Sequence, residues 1–177
     1  MKEMDALKIL LLTDYYNTYG GIQLYMKAYV SNSSNKILVI AADYYSDPMN
    51  DSNEVKRIQK DLKTILYKGI KNRIFLKLVI RVNKIIHSEN IDMVMCANGS
   101  FPFILLLSLL KIDAKIVFIH GQDILTQKKI TKIISRYLLE RFTLVFCNSN
   151  YTADSLTKQK LISKKVSVAV QYPPFIP

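Results

Sequence analysis

The sequence predicts a single α/β domain built on a doubly wound parallel sheet, and three observations predict it. Six short apolar runs recur along the chain without polar alternation, the texture of strands covered on both faces. Five segments between them carry apolar residues at a 3.6-residue period, as helices packed on such a sheet do. Four of the five glycines, Gly20, Gly21, Gly99 and Gly121, fall just past the ends of apolar runs, where a βα unit turns from strand to helix. At 177 residues the chain suits one domain, able to bury roughly 70% of its unfolded surface.

The first strand is predicted at 7–13 (LKILLLT), followed after Gly20-Gly21 by a helix at 22–30. A second strand is predicted at 36–42. The stretch 43–72 is ambiguous: it is polar at 46–53, and then fits either a short strand at 55–58 or a helix using Ile58, Leu62, Ile65 and Leu66. A helix at 74–86 leads to a third strand at 91–97, and a helix at 102–110 leads to a fourth at 114–120. The pattern closes with a helix at 130–141, a strand at 143–148, a helix at 153–161 and a last strand at 166–171. Such alternation implies right-handed crossovers in a parallel sheet. Residues 1–172 form the expected domain, and the proline-rich 173–177 reads as the start of a linker.

Half of the residues are hydrophobic and 22% are charged, which excludes disordered, collagenous and coiled-coil classes. The longest apolar run, 101–110, is about half of what a bilayer span needs. The N-terminal apolar run reads as a strand, not as a secretion signal. Cys96 and Cys147 lie apart in apolar stretches and read as reduced core residues of a cytoplasmic protein.

In an open parallel sheet, ligands bind beyond the carboxyl ends of the strands. The glycines at those exits mark candidate ligand-contacting turns, and Gly20-Gly21 runs straight into a helix whose free N–H groups suit a phosphate. The loop is neither GxGxxG nor GxxxxGK[ST], so only a generic phosphate cradle is read there. Asn98 beside Gly99, then His120, Gly121 and Asp123, and then Asn148 and Ser149 are the candidate cleft residues at the later exits. Asn148 to Asn150 also supply N-cap chemistry for the next helix. Neither GxSxG, HExxH nor a metal-ligand spacing occurs, which speaks against hydrolase and metalloenzyme readings.

The formal charge of +11 favours phosphate-bearing partners. Ten basic residues against Asp61 alone lie between 56 and 84. Arg73, Lys77, Arg81 and Lys84 recur at helical spacing and form a basic stripe, which reads either as a solvated outer face or as a face for an anionic membrane surface. Nucleic acid is not an expected partner, since no nucleic-acid motif accompanies the charge.

Taken in order, KILLLTDYY, NTYGGIQLYMKAYV, IHGQD, LVFCNSNYTADSL and VSVAVQYPP resemble the N-terminal half of glycosyltransferase family 4 enzymes of GT-B architecture. The resemblance spans nearly the whole chain. It implies a Rossmann-like domain that binds an acceptor and closes over a nucleotide-sugar held mainly by a C-terminal domain, which this chain is expected to lack. Carried onto these positions, it places Gly20 and Gly21 near the donor diphosphate, makes His120 the catalytic-site residue contacting the donor sugar, and has Asn148 and Ser149 line the interdomain cleft. It further implies retaining transfer without metal or other cofactor, the donor's own phosphate taking the acceptor proton. The expected setting is cell-surface glycan or glycolipid synthesis, in the cytoplasm or peripheral to the inner face of the membrane. The partners are a nucleotide-sugar, a sugar or lipid-linked acceptor, and a donor-binding domain in cis or in trans. Two alternatives stay open: a non-catalytic partner or regulatory subunit that keeps the fold, and an unrelated doubly wound binding domain.

Overall fold

A computed structural model describes residues 6–17, 21–44 and 53–172. Gly20, most of the polar stretch at 46–53 and the proposed linker at 173–177 lie outside the described residues. The element order is β1 (Lys8–Thr13), α1 (Gly21–Asn32), β2 (Lys36–Ala41), α2 (Asn53–Lys68), α3 (Asn72–Ser88), β3 (Met93–Cys96), α4 (Phe101–Leu109), β4 (Lys115–Ile119), α5 (Gln122–Leu125), α6 (Lys129–Leu139), β5 (Leu144–Cys147), α7 (Asn150–Lys158) and β6 (Val168–Val170).

All five strand pairings are parallel, and the sheet order is β2-β1-β3-β4-β5-β6. This is the expected Rossmann-like α/β architecture. The order reverses between β1 and β3, which opens a crevice at their carboxyl ends. The continuous apolar texture of β1 now has its cause. Leu10 and Leu12 enter one core cluster, whereas Ile9 and Leu11 enter the other, on the opposite face.

The two layers are unequal. Apolar residues of α2, α3, α4, α5, α6 and α7 pack on the first face, while α1 is the helix that supplies the second cluster, through Tyr25 and Met26. The chirality rule explains this: only the β1-to-β2 connection moves leftward across the sheet, and a right-handed crossover in that direction lands on the other face.

The ambiguous segment is a helix. Val55, Ile58, Leu62 and Ile65 of α2 are buried at helical spacing against the sheet and α3. Glu54 in the first turn and Lys68 in the last complement the helix dipole, and Gly69 follows at φ +73°, where a helix C-terminus favours glycine. The run at 101–110 is α4, sandwiched in the helical layer with Pro102 in its first turn. Among the described residues no helix is long and apolar enough to cross a membrane.

Of the four basic positions on α3, Arg73, Lys77 and Lys84 are exposed. Arg81 instead turns toward α2, in a close ion pair with Asp61 and 3.6 Å from Glu54. Three- and four-residue spacing spreads side chains over an arc wide enough that one edge of the stripe meets the neighbouring helix. Leu76 and Ile80 stand exposed between the remaining charges.

Candidate functional site

The β1/β3 crevice is closed at its base by a side-chain bridge across the switch point. Asp14, just past β1, accepts from the Tyr15 N–H and the Thr13 hydroxyl on Oδ1, and from Asn98 Nδ2 at 2.9 Å on Oδ2. The Asn98 carbonyl oxygen of the side chain accepts in turn from the Ser100 N–H at 2.7 Å, ordering the turn into α4. Asn98 therefore spends both ends of its amide on shaping the crevice.

Asp123 ties the next two strand exits together. Its Oδ2 accepts from the Gly99 N–H at 2.7 Å and the His120 N–H at 3.3 Å, while Oδ1 is buried with no partner among the described residues. Gly99 has to be glycine for this: a Cβ there would stand 2.8 Å from Asp123 Oδ2 and 2.9 Å from Ile119 Cγ1. Gln127 extends the tie, donating to the Gly99 and Asp123 carbonyls and accepting from Ser135 of α6.

His120 leaves β4 with its ring partly buried. Its Nε2 lies 3.0 Å from the Ala97 carbonyl oxygen, and because a carbonyl only accepts, Nε2 carries the proton. In the neutral ring Nδ1 is then the remaining polar atom, an acceptor. Burial pushes the imidazole below its ordinary value, opposed by the Asp123 carboxylate, the Ala97 carbonyl and Asp14. The folded state thus binds this proton less readily than the unfolded chain. The neutral ring contributes stability that is present above about pH 6.5 and is lost as pH falls through the folded value. Thermal melts between about pH 7 and pH 5 are expected to show a falling Tm, with a component missing in His120→Gln; identical slopes in the two proteins would remove His120 as its source.

The β5 exit is ordered by its own hydroxyls. Ser149 is the N-cap of α7, its Oγ accepting from the Thr152 N–H at 3.2 Å. The buried Thr152 hydroxyl donates to Asn148 Oδ1 at 2.8 Å. Gly121, at φ +95°, turns directly over that hydroxyl. Capping accounts for Ser149, and Asn148 keeps only its side-chain N–H₂ for any other partner.

Across the sheet, Gly21 opens α1, and a Cβ there would meet nothing within 4 Å. The protein's own packing makes no demand for glycine at that position. One turn later Tyr25 is buried, edge-on to Phe118 and with its ring 6.5 Å from that of His120. Its hydroxyl has no partner among the described residues, and burial pushes it up to about 12. Beside β1 and β2, Asp43 caps the Tyr16 and Asn17 N–H groups, and Tyr44 stacks on Tyr16 at 4.8 Å.

The strand exits are therefore tied to one another: Asp123 joins Gly99, beside Asn98, to His120, and Gly121 lies over the Thr152 hydroxyl that holds Asn148, next to Ser149. Asp14, Tyr25, Gln127 and Thr152 adjoin these residues and are not among the site residues read from the sequence. Three of the four carry a signal in the sequence: Asp14 as a carboxylate one residue past a strand end, and Tyr25 and Thr152 as members of the segments NTYGGIQLYMKAYV and LVFCNSNYTADSL. The two cysteines are free and buried, and burial pushes both thiols up, Cys147 to about 11, so neither is a nucleophile at neutral pH.

The family model of Glycosyltransferase Family 4 matches residues 31–169. The matched stretch contains Asn98, His120, Asp123 and Asn148, while Asp14, Gly20 and Gly21 precede it. Comparison with curated proteins gives no match.

Proposed function

The chain belongs to glycosyltransferase family 4, and from that membership we propose that it forms the acceptor-side half of a retaining, nucleotide-sugar-dependent glycosyltransferase acting in cell-surface glycan or glycolipid synthesis. The observation that carries the reading is the neutral His120, held by the Ala97 carbonyl at the switch-point edge with Nδ1 as its remaining acceptor. In this reading Nδ1 accepts a hydrogen bond from a hydroxyl of the donor sugar and fixes the ring for attack. In this reading the amides of Gly21 and the start of α1 meet the donor diphosphate, where negative charge grows as the glycosidic bond to the leaving group breaks. A phosphate oxygen of the departing diphosphate takes the acceptor's hydroxyl proton. Asp123 and Asn98 act through backbone: they hold the turns that place His120 and Gly99.

His120→Ala in the assembled enzyme is the test. Loss of a positioned hydrogen bond made in the transition state is expected to lower kcat by about 10²–10³. The vacated Ala97 carbonyl costs about 1 kcal/mol, or a few degrees of Tm. Unchanged kcat with a correctly folded variant would defeat the assignment.

A further inference from the structure

Helix α6 is apolar on two sides. Ser135 and Leu139 face inward, toward the helical layer, yet Ile130, Ile133, Ile134 and Tyr137 stand 74%, 51%, 41% and 67% exposed. Their spacing of i, i+3, i+4 and i+7 aligns them in one continuous stripe along the helix. Isolated exposed apolar residues need no explanation, but a full-length stripe of large ones marks a surface that is covered in use. The polar residues beside the stripe say what covers it. Lys129 and Arg136, seven residues apart, run along one side of it, Lys128 and Arg141 stand at its two ends, and Glu140 is the one acidic residue in 128–141. A helix with an exposed apolar stripe, a basic side, basic ends and a strongly basic parent domain is complementary to a surface that is apolar beneath an anionic skin.

We propose that the outward face of α6 docks this domain on an anionic lipid bilayer, with the isoleucines and Tyr137 in the headgroup and acyl boundary and Lys129 and Arg136 on lipid phosphates. The basic stripe expected on α3 is the weaker surface of the two. Arg81 has turned to Asp61 and Glu54, and Leu76 and Ile80 alternate with charges, so no unbroken apolar band forms there.

The position of α6 relates docking to the site. The chain leaves the carboxyl end of β4, forms α5, and enters α6 immediately after Gln127, whose side chain joins Gly99 and Asp123 to Ser135 of α6. A docked α6 holds the crevice edge near the bilayer surface, which suits an acceptor anchored in lipid. That consequence rests on the proposed function; docking itself rests on the surface of α6 and is measured without turnover.

The experiment is co-sedimentation of the full chain with mixed phosphatidylcholine–phosphatidylglycerol vesicles and with pure phosphatidylcholine vesicles. Binding is expected with the mixed vesicles, weakening as salt rises. Ile133→Ser with Ile134→Ser is expected to lower the partition coefficient by about tenfold or more. The equivalent pair on α3, Leu76→Ser with Ile80→Ser, is expected to lower it far less. Because the chain contains no tryptophan, Tyr137→Trp adds a single reporter whose emission is expected to shift to the blue with mixed vesicles. All the substituted positions are exposed, so circular dichroism and Tm stay at wild-type values. Absence of binding, equal binding to both vesicle types, or dependence on the α3 pair instead of the α6 pair would overturn the proposal. So would sedimentation velocity showing an α6-dependent dimer without lipid, which would identify a second copy of the chain as the occupant.

Discussion

The 177-residue chain alone is expected to give no measurable transfer from common nucleotide-sugars, and a cognate donor-binding domain fused after Pro177 or supplied in trans is expected to restore it. The described residues line one side of a crevice at an open sheet edge. His120 has one acceptor to offer there, and in the proposed reading the amides at the start of α1 would meet a diphosphate that water would otherwise surround. A facing domain excludes that water and holds donor and acceptor in one geometry. Lost proximity by itself is worth about 7 kcal/mol or more, roughly five orders of magnitude in rate. Hydrogen bonds to the departing diphosphate also lose strength in bulk water. Product formation followed by mass spectrometry reads the result. Sustained multiple turnover by the isolated chain, abolished by His120→Ala, would show that one side suffices.

Gly99→Ala is expected to cost about 2 kcal/mol, within the usual range for overpacking a buried position. The new methyl has nowhere to go: Asp123 Oδ2 would lie 2.8 Å and Ile119 Cγ1 2.9 Å away. Ile119 is fully buried, so the carboxylate has to yield, giving up the Gly99 and His120 N–H groups. Asp123→Ala removes the same acceptor directly and leaves those two donors unsatisfied, at about 1–3 kcal/mol. Each change destroys the same bonds, so the double variant is expected to be more stable than the sum of the singles by about 0.5–3 kcal/mol. Denaturant midpoints of the three variants measure the coupling. Strict additivity would mean that Asp123 does not clamp the two exits.

Much of the fold was legible along the chain because its signals are local. Burial on both faces makes a strand read as an unbroken apolar run, and β1 to β5 stand within a few residues of where that texture ends. β6 is shorter than the run that marks it, since an edge strand pairs over only part of its apolar length. The segment at 53–68 had two readings because Val55 and Ile58 fit either period; packing on α3 and on the sheet selected the helix. α5 has four residues, too few for any period to register.

What the sequence by itself determined about this protein is its layered α/β class, its strand count and the strand exits that carry the site. Tertiary structure alone decided which exits are tied together, because Asp14 and Asn98 are 84 positions apart and Gly99 and Asp123 are 24 apart. No periodicity reaches across such distances; the parallel register does. Tertiary structure also decided which way α6 faces. A helix with apolar residues on two sides satisfies the core with either one, and it is the small Ser135, bonded to Gln127 beneath the layer, that turns Ile130, Ile133, Ile134 and Tyr137 outward.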